Sequence, residues 1–251
     1  MRKLFFLLLV LHTVCTFSAF AETYKFVGTT FPFILEKDSS GKIKGIGAEI
    51  AREVITKMGH NIEISIYPWK RVQFMVITGV AHVLIGPYKT PEREQIFDYN
   101  KYHFYQDNMV FYAKSGLKQS WDGKFSSLQD KTIAIMAGWS YGSEADANLK
   151  KLNTHEFYSV LKGLELVLFE RYDFCALNQR NASYIIQKHN LHSKFDIIDP
   201  PISITKGYFG FSKKFKLNKL IIQFDKGLKT LIDSNKVSLL NKKHNLFYSR
   251  E

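Results

Sequence analysis

VQFMVITGVAHVLIG (residues 72–86) reads as the end of an apolar helix, a turn at Gly79 and a buried strand. LELVLFERYDFCALN (164–178) reads the same way, and the two superpose at an offset of 92 residues (164 minus 72). A unit of helix, turn and strand that occurs twice implies two similar lobes, each finishing a strand at an equivalent place, Gly86 and Asn178.

Around the first copy, YKFVG (24–28) alternates like a strand and runs into the loop TTFPFIL (29–35). IGAEIAREVITKM (46–58) sets Ile46, Ile50 and Val54, with Ala51, Ile55 and Met58, on one helical face, and Gly59 ends it. IEISIY (62–67) is the next strand, and Pro68 fits the first turn of the helix that follows. Around the second copy, SLQDKTIAIMAG (127–138) leads into a strand, while SEADANLKKL (143–152) and SVLKGLELVLFERY (159–172) read as helices before the strand DFCALN (173–178). Strands alternating with helices predict an α/β fold with a mostly parallel sheet in each lobe. Ligands of open α/β sheets bind beyond the carboxyl ends of the strands, so a cleft between the lobes would collect both sets of ends.

Composition agrees with a folded chain: 45% of the 251 residues are hydrophobic and 23% charged. MRKLFFLLLVLHTVCTFSAFA (1–21) has two cations, an apolar run, and Ala19 and Ala21 at the spacing of a signal-peptidase site, so cleavage before Glu22 is expected. The apolar run is shorter than the roughly 20 residues of a membrane span. Cys15 raises the alternative of a lipoprotein, against which LHTVC lacks the small residue that precedes a lipid-bearing cysteine. Removal of Arg2 and Lys3 lowers the net charge from +12 to +10 and leaves one cysteine, Cys175, within an apolar strand, where it reads as a buried small hydrophobe. The lysines are spread along the chain without an aromatic-basic motif, which argues against nucleic acid and fits a solvated surface with a bias toward anionic ligands. No histidine pattern makes a metal site, His189 and His192 reading as solvated helix-end residues, and no nucleotide-binding glycine pattern follows a strand. Neither a metal nor a cofactor is expected.

GWSYG (138–142) lies between a predicted strand and a predicted helix, the setting of a nucleophile elbow, and Asp173, Asp196 or Asp199 with His244 would complete a serine-hydrolase order. Against that reading, few strands precede it and no His-Gly oxyanion loop lies upstream. The competing reading is an anion cradle made by Gly138 and Ser140 with backbone N–H groups at a helix N-terminus.

GPYKTPEREQIFDYNKYHFYQDNMVFYAKSG (86–116), with a strand-end glycine, Thr90, and an arginine three residues later, resembles the family 3 extracellular solute-binding proteins, the periplasmic receptors for polar amino acids. FPFILEKDSSGKIKGIGAEIA (31–51) is similar to that family's first loop and helix, SSLQDKTIAIMAGWSYGSEA (126–145) to the start of its second lobe, and KGYFGFSKKFKLNKLIIQFDKGLKTL (206–231) to its return strand and closing helix. The resemblance implies a two-lobed type II periplasmic-binding-protein fold: signal peptide 1–21, first lobe 22–112, second lobe 113–206 and a return to the first lobe over 207–251, with crossing strands near Ala113 and Lys206.

By position, Arg93 looks like the arginine that clamps a ligand carboxylate, a task suited to guanidinium geometry. Thr90 and Ser140 match hydroxyl and backbone contacts to the same group, Phe31 and Phe33 fall in the loop that supplies an aromatic wall, and Trp139 stands beside Ser140. Trp69, in a PWxR stretch similar to a divergent branch of the family, is placed to touch the ligand side chain, and Arg71 either adds a cation to the cleft or faces solvent. Three departures bear on the ligand: Asn178, followed by Gln179, stands where amino-acid binders carry an aspartate for the ammonium, Tyr88 replaces a small hydroxyl residue, and Gly47 stands where an acid is common. An amide holds an ammonium less well than a carboxylate does. The expectation is a monomeric periplasmic receptor that captures a small polar, carboxylate-bearing solute by lobe closure and presents it to the membrane permease of an ABC transporter, without doing chemistry. The alternatives are an enzyme on the same scaffold, similar to the cyclohexadienyl dehydratases, a serine hydrolase acting through Ser140, and a sensory module that presents its ligand to a receptor.

Overall fold

In the computed structural model, residues 21–244, 246, 248 and 249 are described, so the signal-peptide and Cys15 readings lie almost wholly outside the described residues. The strands are β1 (Thr23–Gly28), β2 (Glu36–Lys37), β3 (Ile43–Lys44), β4 (Asn61–Ile66), β5 (Val83–Tyr88), β6 (Phe97–Tyr99), β7 (Tyr105–Lys114), β8 (Thr132–Met136), β9 (Asn153–Phe157), β10 (Phe174–Asn178) and β11 (Phe195–Ser212). The helices are α1 (Ile46–Lys57), α2 (Trp69–Thr78), α3 (Pro91–Ile96), α4 (Ser143–Leu149), α5 (Val160–Leu168), α6 (Gln179–Lys188), α7 (Asn218–Asp233) and α8 (Lys236–Lys243).

The strands run in the order β4-β1-β5-β11-β7-β10-β8-β9, with β6 also on β11 and β2-β3 as a separate hairpin. At one end β1 is parallel to β4 and β5, and at the other β8 is parallel to β9 and β10. These parallel groups are the two lobes. The long antiparallel pair of β7 and β11 joins them, with Phe195 opposite Lys114 at one end and Gly207 opposite Tyr105 at the other. β11 then pairs with β5 from Gly207 to Phe211, while β7 pairs with β10 from Met109 to Tyr112. By pairing, β7 has entered the second lobe by Met109, four residues before Ala113, and β11 enters the first at Gly207, next to Lys206.

Each element follows from its pattern. The predicted face of α1 is buried, Ile46, Ile50, Ala51, Val54 and Ile55 lying against the sheet. Gly79, the turn residue of the repeat, caps α2 with φ 82, a left-handed conformation that glycine adopts at no steric cost. Pro68 sits one residue outside α2, as its N-cap. In the first lobe Phe26, Phe209, Phe211 and Phe224 are fully buried, and Phe104 stacks on Phe209 with ring centroids 4.6 Å apart. The second lobe buries Leu164, Val167, Cys175 and Leu177 on one side of the sheet, with Phe111 and Phe174 packed together at 5.2 Å. Cys175 is fully buried, in agreement with its apolar setting. The predicted helix at 143–152 stops at Leu149, and Asn153–Phe157 forms β9, an edge strand parallel to β8.

Where β11 enters the first lobe, a Cβ on Gly207 would lie 1.8 Å from Cε1 of Tyr105, whose hydroxyl is held by the Gly86 carbonyl at 2.6 Å. Gly207→Ala is therefore expected to destabilise the protein by at least the roughly 1–3 kcal/mol typical of overpacking. At about 2–4 °C per kcal/mol for a protein of this size, thermal unfolding followed by circular dichroism reads this as a drop of several degrees.

Candidate functional site

The carboxyl ends of the parallel strands face one another across the junction of the lobes, and a cavity of about 300 Å³ lies between them. The loop after β1 contributes Thr29, Thr30 and Phe31, the start of α2 contributes Trp69, and the end of β5 with α3 contributes Tyr88 and Arg93. From the second lobe come Gly138, Trp139 and Ser140 after β8, Tyr158 and Val160 at the start of α5, and Asn181 on α6. Six of the residues singled out in the sequence thus meet in one cavity: Phe31, Trp69, Tyr88, Arg93, Trp139 and Ser140. The wall is aromatic. Phe31 meets Tyr88 and Trp139 edge-on, with centroids 6.4 and 6.3 Å away.

Arg93 reaches across the cleft. Its Nη1 donates to the Tyr88 carbonyl at 3.1 Å and its Nη2 to the Gly138 carbonyl at 3.4 Å, while the guanidinium carbon stands 5.2 Å from the centre of the Trp69 ring. Thr90 positions it: as N-cap of α3, its hydroxyl accepts from the Arg93 backbone N–H. Thr90 and Arg93 also border a second, more polar cavity of about 320 Å³ together with Glu92, Asp146 and Lys150. Arg93 is the one charged side chain among the described residues that line the aromatic cavity.

Beneath this cavity lies a network that sequence reading missed. Arg180, on α6, donates to both carboxylate oxygens of Asp107, on β7, through Nε at 2.8 Å and Nη2 at 2.6 Å, and both side chains are buried. Arg180 also donates to the Pro32 carbonyl in the first-lobe loop and stacks over Phe31, 4.1 Å from its centroid. The Tyr88 hydroxyl donates to Asp107 Oδ2 at 2.7 Å and accepts from Asn178 Nδ2 at 2.8 Å. Burial, reinforced by the Asp107 charge, raises the Tyr88 pKa well above the usual phenol range, so at neutral pH the hydroxyl keeps its proton and donates. A charge inside the apolar run YHFYQDNMVFYA was the available signal, because a carboxylate is almost never fully buried unless it is paired.

Besides Thr90, which borders only the second cavity, three expected residues are placed elsewhere or are already engaged. Asn178 is fully buried: its Nδ2 binds Tyr88, and its Oδ1 accepts from the Asn181 N–H at 2.9 Å as N-cap of α6. Tyr88 therefore covers it, and no atom of Asn178 lines the cavity. Phe33 turns away through a left-handed φ of 66 to pack on His244 and Tyr184, with which it lines a separate cavity. Arg71 stacks over Tyr67 at 4.3 Å and does not line the cavity. Gly47 leaves no room for an acid, since a Cβ there would lie 2.5 Å from Ile85 Cγ2.

Ser140 lines the cavity, but its hydroxyl donates to Asp146 Oδ2 at 2.6 Å, and the Tyr141 N–H donates to Asp146 Oδ1 at 2.7 Å. The cradle read from GWSYG is thus filled by a carboxylate of the chain itself. The triad order is not assembled either: His244 lies against Phe33, Asp173 binds Thr132, and Asp196 binds Ser115. Among the described residues no group of three or more His, Cys, Asp or Glu side chains could hold a metal ion. Cys175 is the free cysteine among them.

Breaking the buried pair isolates a charge. Arg180→Met is expected to cost roughly 3–5 kcal/mol by leaving Asp107 uncompensated, whereas Arg180→Met with Asp107→Leu removes both charges and recovers a large part of that loss. Urea unfolding of the two variants beside the parent measures both values.

A family model described as bacterial extracellular solute-binding proteins, family 3, matches residues 24–246. Among curated proteins, none matches the chain. Among solved structures, the substrate-binding protein of an amino acid ABC transporter shares 21% identity at a TM-score of 0.71, covering 88% of this chain and 98% of that one. A histidine kinase sensor domain with similarity to periplasmic binding proteins shares 18% identity at a TM-score of 0.74, covering 88% and 95%. An ancestral amino-acid-binding protein, described as a precursor of cyclohexadienyl dehydratase, shares 18% identity at a TM-score of 0.70, covering 88% and 94%. At these identities the likeness is one of fold, the two-lobed type II arrangement.

Proposed function

The chain belongs to the bacterial extracellular solute-binding proteins, family 3, and on that basis we propose that it is a periplasmic receptor for a small carboxylate-bearing solute. The observation that carries this reading is the cavity at the strand ends, where a single guanidinium, Arg93, stands among aromatic walls drawn from both lobes. Arg93 is the anchor. Two of its N–H groups hold Tyr88 and Gly138, and the rest are free in direction to meet a carboxylate, a pairing stronger than one between neutral groups. Trp69, Trp139 and Phe31 then form the walls that select the body of the solute. Elements of both lobes line the cavity, so closure of the lobes about the β7–β11 junction, the hinge in this reading, would enclose the solute.

In this reading the chain divides into a first lobe of 22–112, a second of 113–206 and a return to the first over 207–251. It acts as a monomer that hands the solute to the permease of an ABC transporter. The likeness to a transporter's binding protein supports that partner. The engagement of Ser140 with Asp146 favours binding over acyl transfer, since among the described residues its hydroxyl is bonded to a carboxylate and to no histidine base.

The two kinds of contact predict two kinds of loss. Arg93→Ala removes one partner of a shielded charge pair, worth roughly 2–5 kcal/mol, and is expected to weaken every carboxylate ligand about thirtyfold or more. Trp69→Ala is expected to reorder the ligands by affinity while sparing some of them. Calorimetry over a panel of carboxylates, with circular dichroism to confirm folding, separates the two. Unchanged affinity in folded Arg93→Ala would place the site elsewhere. Small-angle scattering is expected to show a smaller radius with a tight ligand than without it.

A further inference from the structure

The receptor reading leaves open which carboxylates are accepted, and the lining of the cavity narrows them. An α-amino acid brings an ammonium as well as a carboxylate. Once the lobes close over it, that ammonium needs an anion or several acceptors to replace its hydration. Among the described residues lining the cavity, the charge is that of Arg93 alone. Asp107 is committed to Arg180 and to the Tyr88 hydroxyl, and Asp146 to Ser140 and the Tyr141 N–H, while Glu92 and Glu156 line the neighbouring polar cavity and not this one.

The aromatic walls do not substitute for an anion. One face of Trp69 carries the Arg93 guanidinium at 5.2 Å, and one face of Phe31 carries that of Arg180 at 4.1 Å, so the ring faces that attract cations are already partly used by cations of the chain. Of the remaining lining, Ile34, Leu35, Ile85, Met136 and Val160 are apolar, and the polar side chains Thr29, Thr30, Ser140 and Asn181 are neutral. Such a surface offers hydrocarbon contacts and neutral hydrogen-bonding groups, and no anion.

Resting on the receptor reading, we infer that the solute is a small organic acid with an apolar or aromatic body and no ammonium group, and that Tyr88 is the residue that sets this choice. Tyr88 stands between the cavity and the polar floor of Asp107 and Asn178, and its hydroxyl binds both, so the floor is closed to a ligand. A ligand amine meets the ring of Tyr88 where a shorter side chain would open the way to Asn178.

Matched pairs test this directly: the oxo acids of phenylalanine and leucine against the two amino acids themselves, with phenethylamine and the zwitterion glycine betaine as ammonium-bearing probes, all by calorimetry on the mature protein. At least one oxo acid is expected to bind ten or more times tighter than its amino acid, and neither ammonium-bearing probe is expected to bind. In Tyr88→Ser with Asn178→Asp, which opens the floor and gives it a negative charge, the ratio is expected to move at least tenfold toward the amino acid. If the amino acids bind the parent as tightly as the oxo acids and lose that binding in Arg93→Ala, the inference falls while the receptor reading stands. If glycine betaine binds best, the walls are a cation cage and the inference falls. If an oxo acid binds equally well with and without Arg93, or no carboxylate binds at all, the receptor reading falls and takes the inference with it. Should the double variant fail to fold, the parent's matched pairs decide alone.

Discussion

The ion pair of Arg180 with Asp107 stands where all parts of the structure meet. Asp107 lies on β7, the strand that passes between the lobes, Arg180 opens a helix of the second lobe, and the same guanidinium holds the Pro32 carbonyl and one face of Phe31 in the first. Taking two charges out of water is costly, and the cost is offset here only because both carboxylate oxygens are engaged by the arginine and the hydroxyl of Tyr88 completes the shell. This completeness constrains what lies above. With the acid neutralised from below and Tyr88 fixed over it, the cavity above keeps one guanidinium as its charge, among rings and neutral polar groups.

The backbone topology places those groups. Parallel strands point their carboxyl ends to one edge, and the antiparallel crossing of β7 and β11 turns the two edges toward each other. Loops that leave those ends therefore converge from opposite sides: Phe31 and Trp69 from one lobe, Gly138 and Trp139 from the other. Helix starts follow directly on strand ends at Asn178 and, two residues on, at Thr90. The side chains that cap those helices are spent on backbone N–H groups and are not available to a ligand as free acceptors.

Several readings from the sequence were local and proved legible. Ile46, Ile50 and Val54 repeat at helical spacing and are buried as that spacing requires, and the turn at Gly79 separates helix from strand where the repeat placed it. β9 was not legible, because NTHEF at a sheet edge leaves Asn153, His155 and Glu156 exposed without alternation and follows a helix without a strong stop. Asn178 was read as a ligand contact although asparagine before a helix is a strong N-cap signal, and that local role is the one its Oδ1 performs. Phe33 and Phe31 lie two residues apart in one loop, and no pattern in that loop distinguishes the one that turns inward from the one that turns out.

By itself, the sequence determined what depends on neighbours along the chain: two lobes from a repeated helix-turn-strand unit, parallel strands from alternation, and a glycine turn from backbone sterics. Tertiary structure alone decided what depends on distant pairs. Asp107 and Arg180 are separated by most of the second lobe along the chain, and only the return of β10 beside β7 brings them within hydrogen-bond reach. Ser140 found an acid six residues on instead of a histidine, and Tyr88 found Asn178 across the junction of the lobes. The physical reason is range. Torsional preference and periodic burial act over a few residues, whereas the charge of a cavity is the sum of which buried polar groups have already been neutralised by partners that folding brings from elsewhere.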